Sequence, residues 1–221
     1  MYKNSSSESS GGIMNEHLWC RSSGKASIFD VSHMGQIIFR GTDRVSFLES
    51  LVVGDVKGLS TGNSCLSLLM NPNGGIIDDT VITNAGEYIY MVINGATKVT
   101  DIEHIQKQML AFNGDVQLEL LDESYELIAL QGPGAVDAIV PFLPQNFDIS
   151  KMKFMSSTEI RIHNVDCRMT RYVLHFLIFH CSLPVCCHGV LCLLKGFTTS
   201  TDEFFRFFVY GILLTSDHVY I

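Results

Sequence analysis

The sequence carries little positive charge, and this limits the partners it can bind. Lys and Arg total 15 against 23 Asp and Glu among 221 residues, which gives a formal net charge of −8. Nucleic-acid binding depends on a basic surface that neutralises phosphates, and no such surface is evident in this composition. The balance of charge therefore argues against nucleic acid as a partner.

Signals for secretion are also lacking. The first fifteen residues hold one Lys, no Arg and a Ser/Gly run, a pattern typical of neither a secretory signal nor a transit peptide. We expect residues 1–12 to be disordered. The 7 cysteines are an odd number at irregular spacing, which does not describe a disulfide framework. A reducing compartment is favoured.

Charge nearly disappears from the last fifty residues, since 33 of the 38 charged residues lie within residues 1–171. Residues 172–194 contain no Asp, Glu, Lys or Arg and are long enough to span a bilayer. Their His, Pro and Cys residues lower the hydrophobicity, so a membrane span is disfavoured. His/Cys clusters at 180–181 and 186–188 have no zinc-module spacing, and no metal site is predicted. We expect residues 172–221 to form a poorly packed hydrophobic tail.

The rest of the chain mixes strand and helix patterns. Alternating or continuous apolar runs predict strands at 26–31, 36–40, 64–70, 76–83, 88–94, 116–121 and 126–131. Helical periodicity predicts helices at 13–20, from 43 to about 53, at 97–112 and at 133–142. Asp43 is expected to cap the second helix. The third should bury a face made of Val99, Ile102, Ile105, Met109 and Leu110. This order lacks regular βαβ alternation and predicts an α+β fold.

The most informative stretch is a glycine turn that runs into an apolar strand at residues 73–82. Gly74 and Gly75 allow the chain to reverse sharply. Asp78 and Asp79 are adjacent in the strand, so they must point to opposite faces of the sheet. An inward-facing carboxylate is costly unless it has a partner or a role. The residues alone leave open a turn followed by an edge-strand charge, or a functional carboxylate.

Two other features have a functional and a structural interpretation. His33 could act as a general base, but a hydrogen-bonded histidine in a turn beside Ser32 is the preferred interpretation. Residues 132–134, Gly-Pro-Gly, could suggest phosphate binding. A connection from a strand to a helix is preferred, since proline suits the first turn of a helix.

Four segments then occur in order: DVSHM at 30–34, SFLESLVVGDV at 46–56, NGGIIDD at 73–79 and LQGP at 130–133. Together they resemble the T-protein of the glycine cleavage system, a tetrahydrofolate-dependent aminomethyltransferase. The resemblance runs from about Met14 to Arg171. It implies a folate-binding α+β fold of mixed antiparallel sheets with flanking helices. The first part of the folate-binding domain would then span residues 13–121, and an incomplete second domain would begin at 122–171.

The resemblance also implies a reaction and a location. In this family an aminomethyl group passes from the lipoylated H-protein to tetrahydrofolate, with release of ammonia, in the mitochondrion. An orienting site and a group that stabilises developing positive charge are the physical requirements. By resemblance Asp79 is the catalytic carboxylate beside the pterin, and Asp78 is its structural partner.

Four further positions match the folate pocket of the family. They are three apolar residues and one amide: Met34, Leu66, Val92 and Asn94. An apolar wall suits a flat heteroaromatic ring, and an amide offers both a donor and an acceptor. Taken alone, Met34, Leu66 and Val92 would be interpreted as core residues. Their assignment to a pocket therefore rests on the resemblance.

After Arg171 the resemblance implies a Gly-Tyr-Thr-Gly-Glu-Asp-Gly segment whose Glu contacts the pterin. This sequence continues instead with YVLHFL at 172–177. We interpret the change as truncation, alternative splicing or a gene model that reads into an intron. Two other functions then stay open: a non-catalytic folate-binding remnant, and a T-protein-like paralogue in folate-linked demethylation or repair.

Overall fold

The computed structural model describes residues 12–121, 124–162, 165–173, 176–182 and 205–209. The disorder expected at the N-terminus falls on residues outside these ranges, as do the expectations for most of the hydrophobic tail. No helix within the described ranges is both long enough and apolar enough to cross a membrane.

Within these ranges the chain forms four helices and two sheets. The helices are α1 (Gly12–Arg21), α2 (Arg44–Glu49), α3 (Lys98–Ala111) and α4 (Ala135–Ile139), with 3-10 turns at Val140–Phe142 and Ile149–Lys151. The strands are β1 (Ala26–Asp30), β2 (Gly35–Arg40), β3 (Asn63–Met70), β4 (Ile76–Asn84), β5 (Ile89–Ile93), β6 (Gln117–Leu120), β7 (Tyr125–Gln131), β8 (Ser157–Ile162), β9 (Val165–Val173), β10 (Phe176–Ser182) and β11 (Phe205–Val209).

The two sheets confirm the α+β prediction. One sheet has the order β3-β4-β5-β2-β6, and every neighbouring pair in it is antiparallel. The other has the order β11-β1-β7-β10-β9-β8 and is antiparallel except where β1 pairs with β11. Short turns join β3 to β4 and β4 to β5, as the antiparallel arrangement allows.

Both faces of the five-stranded sheet carry buried side chains. On one face its strands pack beneath the helices, and the fully buried side chains there include Ile82 and Met91 from the sheet and Phe47 and Ile105 from α2 and α3. Successive strand residues alternate between faces. The next residues along each strand therefore face the other sheet, where Ile38, Tyr90 and Val92 pack with Leu121 and Leu127.

The hairpin between β3 and β4 is built as the sequence predicts. The side-chain oxygen of Asn71 accepts hydrogen bonds from the backbone N–H groups of Asn73 at 2.9 Å and Gly75 at 3.0 Å. Gly74 has φ +81°, a conformation that glycine adopts without steric cost. This turn fixes where β4 begins and therefore which way Asp78 and Asp79 point.

The Gly-Pro-Gly segment is a connection from a strand to a helix, as preferred from the sequence. It lies between the end of β7 at Gln131 and the start of α4 at Ala135. Gly132 has φ +117°, and a Cβ there would lie 2.5 Å from the carbonyl oxygen of Lys25. The glycine is required by close packing of backbone.

The second helix is shorter than predicted. It ends at Glu49, and Leu51 and Val52 follow it as buried residues outside helical structure. Asp43 precedes the helix but makes no side-chain capping bond. Its carboxylate instead accepts the backbone N–H of Asp115 at 2.8 Å, so a contact distant in sequence has replaced the local cap.

The buried face of α3 is also displaced from the prediction. Val99 is 70% exposed and Leu110 is 89% exposed, so neither belongs to the core. Ile102, Ile105 and Met109 do face the core. Because a helix turns 100° per residue, the stripe through these residues extends to the side of Asp101, which is 0% exposed. The helix therefore buries a carboxyl group where the pattern predicted an apolar side chain.

Two strands from the tail, β10 and β11, belong to the six-stranded sheet. The backbone of β10 pairs with β7 along one edge and with β9 along the other, and β11 pairs with β1. The sequence predicted neither strand, and poor packing of the tail side chains stays a prediction. Backbone hydrogen bonding accepts any strand-forming side chains, so the pairing does not require the side-chain pattern of the family.

Candidate active site

Strand alternation separates the two adjacent aspartates of β4, as predicted. In the register of the hairpin Asp78 lies opposite Leu69, which is 0% exposed under the helices. Asp79 lies opposite Leu68 and shares its face with the cross-strand row Leu66, Val81 and Val92. Asp78 therefore belongs to the helix side of the sheet, and Asp79 belongs to the side that faces the second sheet.

Asp78 is half-buried and receives three hydrogen bonds. Its carboxylate accepts the backbone N–H of Asn94 at 3.2 Å, the side-chain amide of Asn94 at 2.9 Å and the hydroxyl of Thr97 at 2.8 Å. Desolvation alone would raise the pKa of this carboxyl, but the bonds from Asn94 and Thr97, with Asp101 nearby, hold it below its ordinary value. Asp78 is therefore a well-satisfied anion that ties β4 to the start of α3.

The Asn94 amide joins the two aspartates. Its Nδ2 donates to Asp78 Oδ1 at 2.9 Å and to Asp79 Oδ1 at 2.8 Å. An amide has two N–H hydrogens, so both are committed to carboxylates. The reverse orientation would place the amide oxygen against two anions, and the amide is therefore fixed. Only its Oδ1 acceptor is left for another group, whereas the sequence predicted a donor and an acceptor.

Asp79 is exposed. Across from it, on β9, stands Tyr172, which is half-buried. Burial, and then the negative charge of Asp79, raise the pKa of Tyr172, so the phenol keeps its proton and lies within the electrostatic reach of the carboxylate. The exposed aspartate is thus accessible to a ligand and flanked by groups from both sheets.

The structure brings the other predicted site residues to the same face. Val92 is 8% exposed and belongs to the cluster between the sheets, against which Met34 packs from the turn before β2. Leu66 is in line with Val81 and Val92 but is 53% exposed. The core interpretation therefore holds for Val92 and is wrong for Leu66, which presents an apolar surface beside Asp79.

Three residues of this neighbourhood were not foreseen. Thr97 and Asp101 come from the first turns of α3, and Tyr172 was placed just outside the resemblance. A polar residue within an apolar helical stripe was the available signal for Asp101. His33 is exposed in the turn before β2. Among the residues with described positions, no group of three or more His, Cys, Asp or Glu side chains is arranged to hold a metal ion.

Solved structures with similar folds define the class. Aminomethyltransferase T of the glycine cleavage system from Bartonella henselae superposes with a TM-score of 0.71 at 27% identity, covering 89% of this chain and 50% of that one. A heterotetrameric sarcosine oxidase from Corynebacterium sp. U-96 superposes with a TM-score of 0.50 at 11% identity, which shows a shared fold only. The fold is that of the aminomethyltransferase T class.

Sequence comparison agrees with the structural one. The model of the GCVT N-terminal domain matches residues 1–173. The mitochondrial aminomethyltransferase of Dictyostelium discoideum is 44% identical over 165 residues, which are 72% of this chain and 40% of that protein. The Gallus gallus protein of the same name is 39% identical over 165 residues, or 41% of its length.

The chain belongs to the GCVT aminomethyltransferase family, which confirms the resemblance seen in the sequence. The family match ends close to Arg171, where the resemblance was also expected to end. The chain spans about two fifths of the length of the curated relatives that it matches.

Proposed function

We propose that this chain carries the folate-facing site of a glycine-cleavage aminomethyltransferase. It would move the aminomethyl carbon from lipoylated H-protein to tetrahydrofolate, with release of ammonia. The observation that carries the proposal is Asp79, an exposed carboxylate held by Asn94 on the face of the sheet that also presents Leu66 and Val92. Membership of the GCVT family supports the same reaction.

The residues on this face fit a pterin. A pterin ring is flat, has apolar faces and carries N–H donors along its edge. Leu66 offers an uncovered apolar surface beside Val81 and Val92, with Met34 packed behind them. Asp79 and Oδ1 of Asn94 offer acceptors rather than donors. An apolar wall with a few convergent polar groups is the usual make-up of a small-molecule site.

Asp79 would act through its charge. Tetrahydrofolate, when bound, supplies the nitrogen atoms that take up the carbon. The carboxylate would stabilise the positive charge that develops during transfer, and such stabilisation is most effective when the anion is already oriented. Asn94 provides that orientation, because its amide hydrogen holds Asp79 Oδ1 at 2.8 Å.

The names of the relatives support a location, and the family resemblance suggests a partner. The curated aminomethyltransferases from Dictyostelium discoideum and Mesembryanthemum crystallinum are named as mitochondrial. We propose the mitochondrion for this chain as well, with lipoylated H-protein as the donor of the aminomethyl group.

The test measures ammonia released when the purified chain is mixed with aminomethylated H-protein and tetrahydrofolate. We expect release by the wild type and a decrease of about 100-fold for Asp79→Asn, the size expected when one oriented electrostatic group is removed. Glu87→Gln is the matched control, since Glu87 is an exposed carboxylate in the turn at the other end of β4. An intact T-protein run alongside verifies the substrates, and no release by this chain would then overturn the transferase proposal.

A second function is favoured by one observation. The family match ends at residue 173, before the segment whose Glu the resemblance places against the pterin. A folate-binding protein without transferase activity would account for this. It predicts saturable tetrahydrofolate binding together with no ammonia release.

A further inference from the structure

Asp101 is a buried carboxyl group that the function proposed above does not use. It lies in the first turn of α3 and is 0% exposed. Neither of its oxygens accepts a hydrogen bond from a described group. Thr97 links it to Asp78, because the backbone N–H of Asp101 donates to the Thr97 carbonyl at 2.9 Å and the Thr97 hydroxyl donates to the Asp78 carboxylate at 2.8 Å. The Asp78 carboxyl and Thr97 are also the groups that act on the Asp101 side chain. A buried anion with no donor is costly, so this arrangement requires an explanation.

We propose that Asp78 and Asp101 share one proton, carried on Asp101 and donated to Asp78, and that this carboxyl pair positions the Asn94 amide against Asp79. Two ionised carboxylates are both acceptors, and they can form a hydrogen bond only when one of them carries a hydrogen. The shared proton therefore makes the close contact of the two groups favourable.

The hydrogen bonds around the two carboxyl groups decide which group holds the proton. Asp78 already accepts three hydrogen bonds, two from Asn94 and one from Thr97. The single hydroxyl hydrogen of Thr97 is used in that bond. Thr97 also acts on Asp101, but neither oxygen of Asp101 is in hydrogen-bonding geometry with a described donor, so ionisation is stabilised more at Asp78 than at Asp101. Asp101 is therefore the donor of the pair.

The electrostatics agree with this assignment. Burial, and then the Asp78 carboxyl, raise the pKa of Asp101 to about 6. The proton belongs to the pair rather than to one residue, so the pair should titrate as a unit. Above about pH 6 both groups become charged and repel each other, and Asp78 moves relative to the amide that it holds.

The titratable groups around Asp78 and Asp101 come from β4 and α3. From β4 the facing group is Asp78, and Asp79 is connected through Asn94. From the turn before α3 the contact is the uncharged Thr97. On α3 itself the neighbouring charged or titratable residues are Lys98, Glu103 and His104. The link from this pair to folate rests on the function proposed above, because it takes Asp79 as the group that faces the ligand.

The test follows the side-chain amide of Asn94 by NMR in the full chain labelled with ¹⁵N-asparagine, without folate. The resonance is assigned by its loss in Asn94→Ala. We expect it to shift with a midpoint near pH 6 in the wild type. In Asp101→Asn, a neutral donor replaces the titrating group, and the shift should vanish. Glu103→Gln removes an exposed carboxylate from the same helix and should leave the midpoint unchanged.

A merely structural role for Asp101 would leave the Asn94 resonance of the wild type without a transition near pH 6, and that result would overturn the proposal. If Asp101→Asn fails to fold, the wild type labelled with ¹³C-aspartate decides the question. The carboxyl signal of Asp101 should titrate near 6, and titration at its ordinary value of 3.8 would contradict the shared proton. Both measurements omit folate, so a failure of folate binding leaves their outcome intact.

Discussion

The two faces of the five-stranded sheet place the same residue types in opposite situations. On the helix side, Leu69 is 0% exposed and Asp78 is enclosed by three donated hydrogen bonds. On the other side, Leu66 is 53% exposed and Asp79 is open to solvent with one bond from Asn94. All four side chains lie on β3 and β4, and only the alternation of the strands separates them.

This difference indicates that one face of the sheet contributes to stability and the other is accessible to a ligand. A side chain that is fully packed and hydrogen-bonded contributes to stability, and it has no capacity left for a ligand. A leucine and a carboxylate left uncovered add little to stability and are accessible to a ligand. Substitutions on the helix side should therefore change the stability of the protein, and substitutions on the other side should change ligand binding.

The largest expected effect on folding is a contrast between two leucines of β3. Leu69→Ala should lower the free energy of unfolding by about 3 kcal/mol, because it removes buried methyl groups and leaves a cavity. Leu66→Ala should lower it by less than about 1 kcal/mol, since the side chain is already half exposed. Urea denaturation of both variants measures the difference, and equal losses would show that the two faces are packed alike.

The two aspartates should give the next largest contrast. Asp78→Ala leaves the Asn94 and Thr97 donors without their partner and should cost about 2 kcal/mol of stability. Asp79→Ala removes one bond from an exposed carboxylate and should cost less than about 0.5 kcal/mol. Thermal and urea unfolding can compare them. A larger loss for Asp79 than for Asp78 would contradict the assignment of Asp78 as the structural partner.

The smallest expected effect is a change in the free energy of unfolding with pH. Because the folded state lowers the pKa of Asp78, its contribution to stability is present above its ordinary pKa of 3.8 and is lost as the pH falls through the folded value. Asp101 contributes with the opposite sign: its contribution is present below 3.8 and is lost as the pH rises through about 6. The unfolding free energies of wild type and Asp78→Asn should therefore converge below the ordinary pKa, and a constant gap would refute the linkage.

Much of the fold could be predicted from local patterns. The turn at residues 71–75 predicted the hairpin, and the alternation of β4 from Asp78 onward, beyond the register shift at Leu69/Met70, places Asp78 and Asp79 on opposite faces. The strands that pair around them were also predicted, because their apolar runs end at clear turn residues.

The misses come from contacts between distant parts of the chain. Asp115 captures the Asp43 carboxylate, and no local pattern contains that bond. Asp101 interrupts the apolar stripe of α3, and its side chain interacts with Asp78 of β4, which is distant in sequence. From its residue type alone Leu66 would be a core residue, and only the resemblance assigned it to the pocket, because a strand pattern cannot show that nothing covers a side chain. The strands β8, β9 and β10 were not predicted, and β10 lies beyond the resemblance, where the chain was interpreted as a tail.

Binding of tetrahydrofolate to the open face beside Asp79 can be measured by calorimetric titration of tetrahydrofolate into the full chain. We expect saturable binding at one site, weakened about tenfold in Leu66→Ala by the loss of apolar contact with the ring. Glu87→Gln should bind as the wild type does. An absence of saturable binding, or equal affinity of Leu66→Ala and the wild type, would show that tetrahydrofolate does not bind to this face.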